Sequence, residues 1–160
     1  PKSEIPPYAS QLNELTVGSE SWGVEWVSWH ENQFIIAECQ YQLGQEQESL
    51  NTLNNTLSVL EQRWREFDQS CQLPRYSDIG GPDLFAAIMN EKYKAMFLNM
   101  QSLSDWRRTG FPLFIDKNGN STECDGGVPR RLLYPELEKK TNSNVPPGDS
   151  IFDRVENDPS

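Results

Sequence analysis

Long apolar runs, histidine, cysteine and positive charge are all scarce in this chain, and each scarcity excludes a class of protein. No stretch approaches the ~20 consecutive apolar residues of a membrane-spanning helix. A single histidine, His30, leaves few ligands for a metal site, and three cysteines in no zinc-type spacing add none. Cys39 falls in a helical apolar pattern and reads as a small buried hydrophobe. Cys71 and Cys124 fall in loop-like segments and could pair as a disulfide in an oxidising compartment. Basic side chains number 14 against 24 acidic ones, for a net charge of −10. That field repels phosphate backbones and argues against a nucleic-acid partner. A signal-peptide pattern is also missing, and the chain opens on Pro1 rather than Met. The expectation is that the natural start has been removed, or that the 160 residues belong to a longer polypeptide.

Catalytic patterns are missing as well. Carboxylates are abundant, but no pair sits in a glycosidase-type motif, and there is no nucleophile elbow or phosphate-cradling glycine loop. Asp116 to Asp125 superficially resembles a calcium loop, yet its glycine is misplaced and the closing glutamate is lacking. An Asn118-Gly119 turn is the better reading. The chain is therefore expected to be no enzyme and to carry no cofactor and no metal.

What is present is helical. Residues 1–23 contain Pro6-Pro7 and no sustained period. From about 24 to 43, Val27, Phe34 and Tyr41 step by seven, as do Trp29, Ile36 and Leu43, and Gly44 suits the C-terminal stop. From about 46 to 68, Leu50, Leu53, Leu57, Leu60, Trp64 and Phe67 alternate steps of three and four, a narrow seam on an otherwise polar helix. The short Leu-Gly-Gln link predicts that these two helices run antiparallel. After a polar loop, a helix is expected over about 83–108. Pro82-Asp83 suits its start, and Phe85, Met89, Met96, Met100 and Leu103 lie along one face, widened by Tyr93 and Phe97. Arg107 and Arg108 suit its last turn, and Gly110 its stop.

Residues 110–160 are rich in proline and glycine, with no helical or alternating run, so an irregular tail is expected. A tail of this length is uncommon in a compact domain unless it is pinned to a larger body. With a mean hydropathy of −0.70, three helices and such a tail look like an incomplete domain that needs a partner surface. The antiparallel pair suggests one unit of a tetratricopeptide-like repeat body, whose seams are buried only against neighbours.

Two segments are more specific. EKYKAMFLNMQSLSDWRRTGFP, followed by VPRRLLYPELEKKTNSNV, resembles the carboxy-terminal part of the SusD/RagB family, with its Trp-Arg-Arg-Thr-Gly-(aromatic)-Pro corner and its Pro-Arg-Arg segment leading to Tyr-Pro. The helix FIIAECQYQLG resembles that family's Ala-Glu helix, with Ala37, Glu38 and Gly44 on matching positions. The likeness covers roughly residues 24–154. Leu103 replaces the usual aromatic, Cys39 a small residue, and Glu136-Leu137 a polar pair.

The resemblance implies an all-α, tetratricopeptide-like body with a long irregular tail, of which the chain is the carboxy-terminal part of one domain spanning residues 1–160. The remaining amino-terminal part of the same protein would complete it and would carry a lipid anchor in the outer membrane. The family implies a binding protein on the extracellular face of the outer membrane. Such a protein captures glycan or peptide and works with a SusC-like, TonB-dependent barrel in Bacteroidota-type bacteria. An alternative is a SusD-like scaffold for assembly or secretion of surface proteins, with the ligand site lost.

Particular residues follow. Aromatic faces stack on sugar rings, so loop-borne Trp22 and Tyr76 are the ligand-contact candidates, while Trp26 and Trp29 are expected to be buried in their helix. Arg107, Arg108, Arg130 and Arg131 could clamp an anion. The structural role is preferred: with Trp106 and Tyr134 they tie the corner to the tail, and Glu38 is expected to accept a hydrogen bond from one of the four.

Overall fold

The computed structural model describes residues 27–113, 132–145 and 150–152, together with Ser19 and Gly23. Among these residues there are five helices and no strand: α1 (Trp29–Gln42), α2 (Glu46–Arg65), α3 (Gly81–Ala95), α4 (Gln101–Thr109) and α5 (Glu136–Thr141). The protein is all-α, as its patterning predicts. Two compact units, Pro1–Leu84 and Phe85–Ser160, meet within the sequence of α3.

The first unit is built on a helical hairpin. α1 begins at Trp29 rather than near residue 24, because Ser28 caps it. The Ser28 hydroxyl accepts from the Glu31 N–H at 3.1 Å, and Glu31 places a carboxylate in the first turn. This Ser-x-x-Glu spacing is a capping signature that heptad counting passes over. Gly44, at φ 76°, closes α1 with its N–H on the Tyr41 carbonyl at 2.9 Å, and α2 starts at Glu46.

Along α2, Leu50, Leu53, Leu57 and Leu60 are buried, as the seam predicts. The seam ends there. Trp64 is half-buried, and Phe67 lies beyond the helix with its ring 6.0 Å from that of Trp64. Facing the seam, α1 buries Phe34, Ala37 and Glu38. Ala37 is small enough for close approach, and the wholly buried Ser49 hydroxyl donates to its carbonyl at 2.7 Å. The hairpin is therefore joined by apolar contact and by a buried polar bond that leaves no stranded group. The second expected line on α1 is not buried: Trp29, Ile36 and Leu43 are exposed, and so is Cys39. Only one stripe of a helix can face a single neighbour, and in α1 that stripe runs through Phe34, Ala37 and Glu38.

In the second unit the expected 83–108 helix is two helices. The chain leaves α3 after Ala95, Leu98 takes φ 65°, and the Asn99 side chain accepts from the Gln101 N–H at 2.8 Å as α4 opens. Neither glycine nor proline marks this break. The interruption puts Phe97 and Met100 in solvent, leaves Tyr93 and Leu103 partly exposed, and keeps only Met89 and Met96 of the expected stripe fully buried. Ala87 and Ile88 are buried in their place. Gly110, at φ 75°, closes α4 as expected, its N–H on the Trp106 carbonyl at 2.7 Å. The tail is not wholly irregular, since α5 forms behind Pro135 with glutamates in its first turn and lysines in its last.

Candidate functional site

Residues 71–81 lie along α2 as a strap, held by four α2 side chains. Arg65 donates through Nε to the Cys71 carbonyl at 2.9 Å. Glu61 accepts from the Leu73 N–H and pairs with Arg75, each at 3.0 Å, while also pairing with Arg65 at 2.7 Å. Asn54 takes both backbone groups of Tyr76: its Oδ1 accepts from the N–H at 2.9 Å and its Nδ2 donates to the carbonyl at 2.8 Å. Glu46 accepts from the Gly81 N–H at 3.1 Å.

The order is antiparallel, and the lengths agree. From residue 65 back to 46 a helix rises about 28 Å, and from 71 to 81 an extended chain reaches at most about 33 Å. Helical spacing puts residues 54, 61 and 65 in one stripe beside the leucine seam, while Glu46, in the first turn, lies in line with the seam itself. The Leu73 N–H holds the Glu61 carboxyl below its ordinary range, with Arg65 and Arg75 adding to the effect. Ser70 does the same for Asp68. Tyr76 is therefore half-buried on a backbone that is anchored on both sides of it.

The Trp-Arg-Arg-Thr-Gly corner is organised by a residue that periodicity does not single out. Asp105 is buried on α4, with its Oδ2 2.6 Å from Lys92 Nζ and its Oδ1 2.9 Å from Arg108 Nη2. Arg108 is half-exposed, whereas Lys92 is all but removed from solvent. Below the corner the Thr109 hydroxyl donates to the Asp105 carbonyl at 2.7 Å and accepts from the Phe111 N–H at 3.2 Å. The Phe111 ring stands edge-on to Phe85 at 5.7 Å. Two residues before the arginine pair, an acidic side chain at i, i+3 from Arg108 was the available signal. Nothing local announces its bond to Lys92.

The other candidates fall as follows. Trp106 and Arg107 are half-buried on α4, and Tyr134 is partly exposed just before α5. Glu38 is buried on α1, in the first unit, whereas Arg107 and Arg108 belong to the second. Cys71 is a free, half-buried thiol. Trp22, Trp26, Cys124, Arg130, Arg131 and the Asn118-Gly119 turn lie outside the described residues. Among the described residues no group of three His, Cys, Asp or Glu side chains could hold a metal ion. No helix among them is long and apolar enough to cross a membrane.

Fold and site together define an all-α protein, one that presents a strapped loop and a tightly pinned corner. Its family is specific. Residues 26–135 match the SusD-like family described as "Starch-binding associating with outer membrane", and the chain belongs to that family. The family is one of binding proteins associated with the outer membrane. Comparison with curated proteins and with solved structures gives no match.

Proposed function

We propose that the protein is a surface-exposed binding subunit that captures a glycan or peptide and passes it to a SusC-like, TonB-dependent barrel. The observation that carries this reading is the family match across residues 26–135, which takes in the hairpin, the strap and the pinned corner. In this reading residues 1–160 form the carboxy-terminal part of one SusD-like domain on the extracellular face of the outer membrane. The hairpin is one unit of a tetratricopeptide-like body that the remaining amino-terminal part completes, and a lipid anchor outside this chain reaches the membrane.

Tyr76 and Trp22 are the ligand contacts. The anchored backbone at Tyr76 supports its part, because an aromatic already held in place loses little freedom when a ligand stacks on it. The corner arginines and Arg130 and Arg131 tie corner to tail, with Trp106 and Tyr134 beside them and Glu38 accepting from one arginine. A double-mutant cycle between Glu38→Gln and each arginine measures that coupling directly.

Calorimetric titration with glycan and peptide panels tests the function. We expect at least one oligosaccharide or peptide to bind, and Tyr76→Ala to weaken it by about tenfold. Detergent extraction of the outer membrane should co-purify a large barrel. A protein that brings down the barrel and binds no panel member is a scaffold, and the capture reading is then wrong.

A further inference from the structure

We infer that Asn54 is a positioning residue for ligand capture, its carboxamide setting the direction in which the strap presents Tyr76. The inference rests on Tyr76 being a ligand contact, and it adds the residue that makes this contact competent.

The strap's anchors hold different things. Glu61 grips it before Tyr76, at the Leu73 N–H and Arg75, and Glu46 grips it after, at the Gly81 N–H. Those two decide where the strap runs, and neither of those bonds is made to residue 76. Asn54 bonds the N–H and the carbonyl of that one residue, at 2.9 and 2.8 Å. The hydrogen-bonded pairs of an antiparallel ladder are joined in the same way, the two opposite residues exchanging both of their backbone bonds. A carboxamide, with one acceptor oxygen and a donor NH2, can stand in for the second strand. The two bonds flank a single Cα, so the strap cannot turn about its own length at this point. The Cα–Cβ bond of Tyr76 is thereby aimed.

Few side chains can do this. An ionised aspartate accepts and cannot donate, and leucine fills similar space and does neither. Helix formation does not explain the choice, because asparagine is among the weaker residues in a helix interior and Asn54 lies well inside α2. Nor does attachment of the strap explain it, since Glu61 and Glu46 secure both sides.

The test compares four forms of the protein: native, Tyr76→Ala, Asn54→Ala and Asn54→Asp. Each is titrated with maltoheptaose, a xylan oligosaccharide and a casein peptide digest, from neutral pH down to about pH 4. Circular dichroism monitors the fold. Tyr76→Ala and Asn54→Ala are each expected to weaken binding by about tenfold with helicity retained. Asn54→Asp is expected to bind weakly at neutral pH and to recover as pH falls, because the protonated carboxyl regains a donor, while native binding shows no such recovery.

A native protein that binds none of the probes, or a Tyr76→Ala variant that binds as native, removes the Tyr76 reading and this inference with it. A Tyr76→Ala variant that weakens binding beside an Asn54→Ala variant that does not removes the inference alone. Absence of recovery in Asn54→Asp also removes it alone, since a purely structural anchor predicts no gain of binding on acidification. Should Asn54→Ala fail to fold, the nearly isosteric Asn54→Asp carries the test through its own pH dependence.

Discussion

Lys92 and Asp105 form an ion pair of 2.6 Å, with side chains only 4% and 8% exposed. Arg108 supports the same carboxylate from a solvated position. Removing Asp105 strands the buried Lys92 charge, so Asp105→Ala should cost about 3–5 kcal/mol in urea unfolding, and Lys92→Met less, because Arg108 still pairs with the carboxylate. The double change Lys92→Met with Asp105→Leu should restore much of that loss, since neither charge is then left buried. Arg108→Ala should cost well under either single change, its half-exposed pair being worth about 0–1 kcal/mol.

The hairpin seam and the broken stripe give a second contrast. Leu57 is wholly buried, and Leu57→Ala should destabilise by about 2–5 kcal/mol. Met100 lay on the expected stripe and is 74% exposed, so Met100→Ala should stay within about 0.5 kcal/mol of native. Chemical denaturation of the two variants distinguishes the broken helix from a continuous one.

Glu61 should make the strap sensitive to acid. The Leu73 N–H, with Arg65 and Arg75, holds its carboxyl below the ordinary value of 4.5. A carboxyl lowered in the folded state contributes stability above its unfolded value and loses it as pH falls through the folded one. The anchor should therefore be intact at neutral pH and weaken below pH 4.5. Amide exchange at Leu73 followed against pH should show protection falling in that window. Asp68, lowered by Ser70, titrates in the same direction, so the comparison with Glu61→Gln isolates the strap.

Gly80 tests the lower end of the strap. A Cβ there would meet Glu46 Oε2 at 2.6 Å, and that oxygen is the one that accepts from the Gly81 N–H. The flexible glutamate can swing away, so Gly80→Ala should not unfold the protein. It should lose the bond, at about 0.5–1.5 kcal/mol in unfolding free energy. Glu46→Ala should cost a similar amount, and the two changes together little more than either.

Legibility along the chain followed the range of the interactions. Leu50, Leu53, Leu57 and Leu60 were readable because a helix repeats its face every few residues, and Gly44 and Gly110 because positive φ favours glycine. The break after Ala95 was hidden because Leu98 takes a left-handed conformation that residues of its kind rarely adopt. Trp29, Ile36 and Leu43 kept a good period and are nevertheless exposed, since period does not say which stripe meets a neighbour. Tyr76 stands out in the sequence as a loop aromatic, whereas Asn54, 22 residues earlier and within a polar helix surface, carries no mark of its bond to it.

From its residues alone the chain settles its helical class, the seam of α2, the glycine stops and the family. Those depend on spacing and turn chemistry that act within a few positions. Tertiary structure alone decides that the third expected helix divides, that Lys92 meets Asp105, and that Asn54 holds Tyr76. Each of these joins groups far apart in sequence or holds the backbone against its local preference. The favourable energy comes from burial and pairing that exist only once the chain has closed on itself.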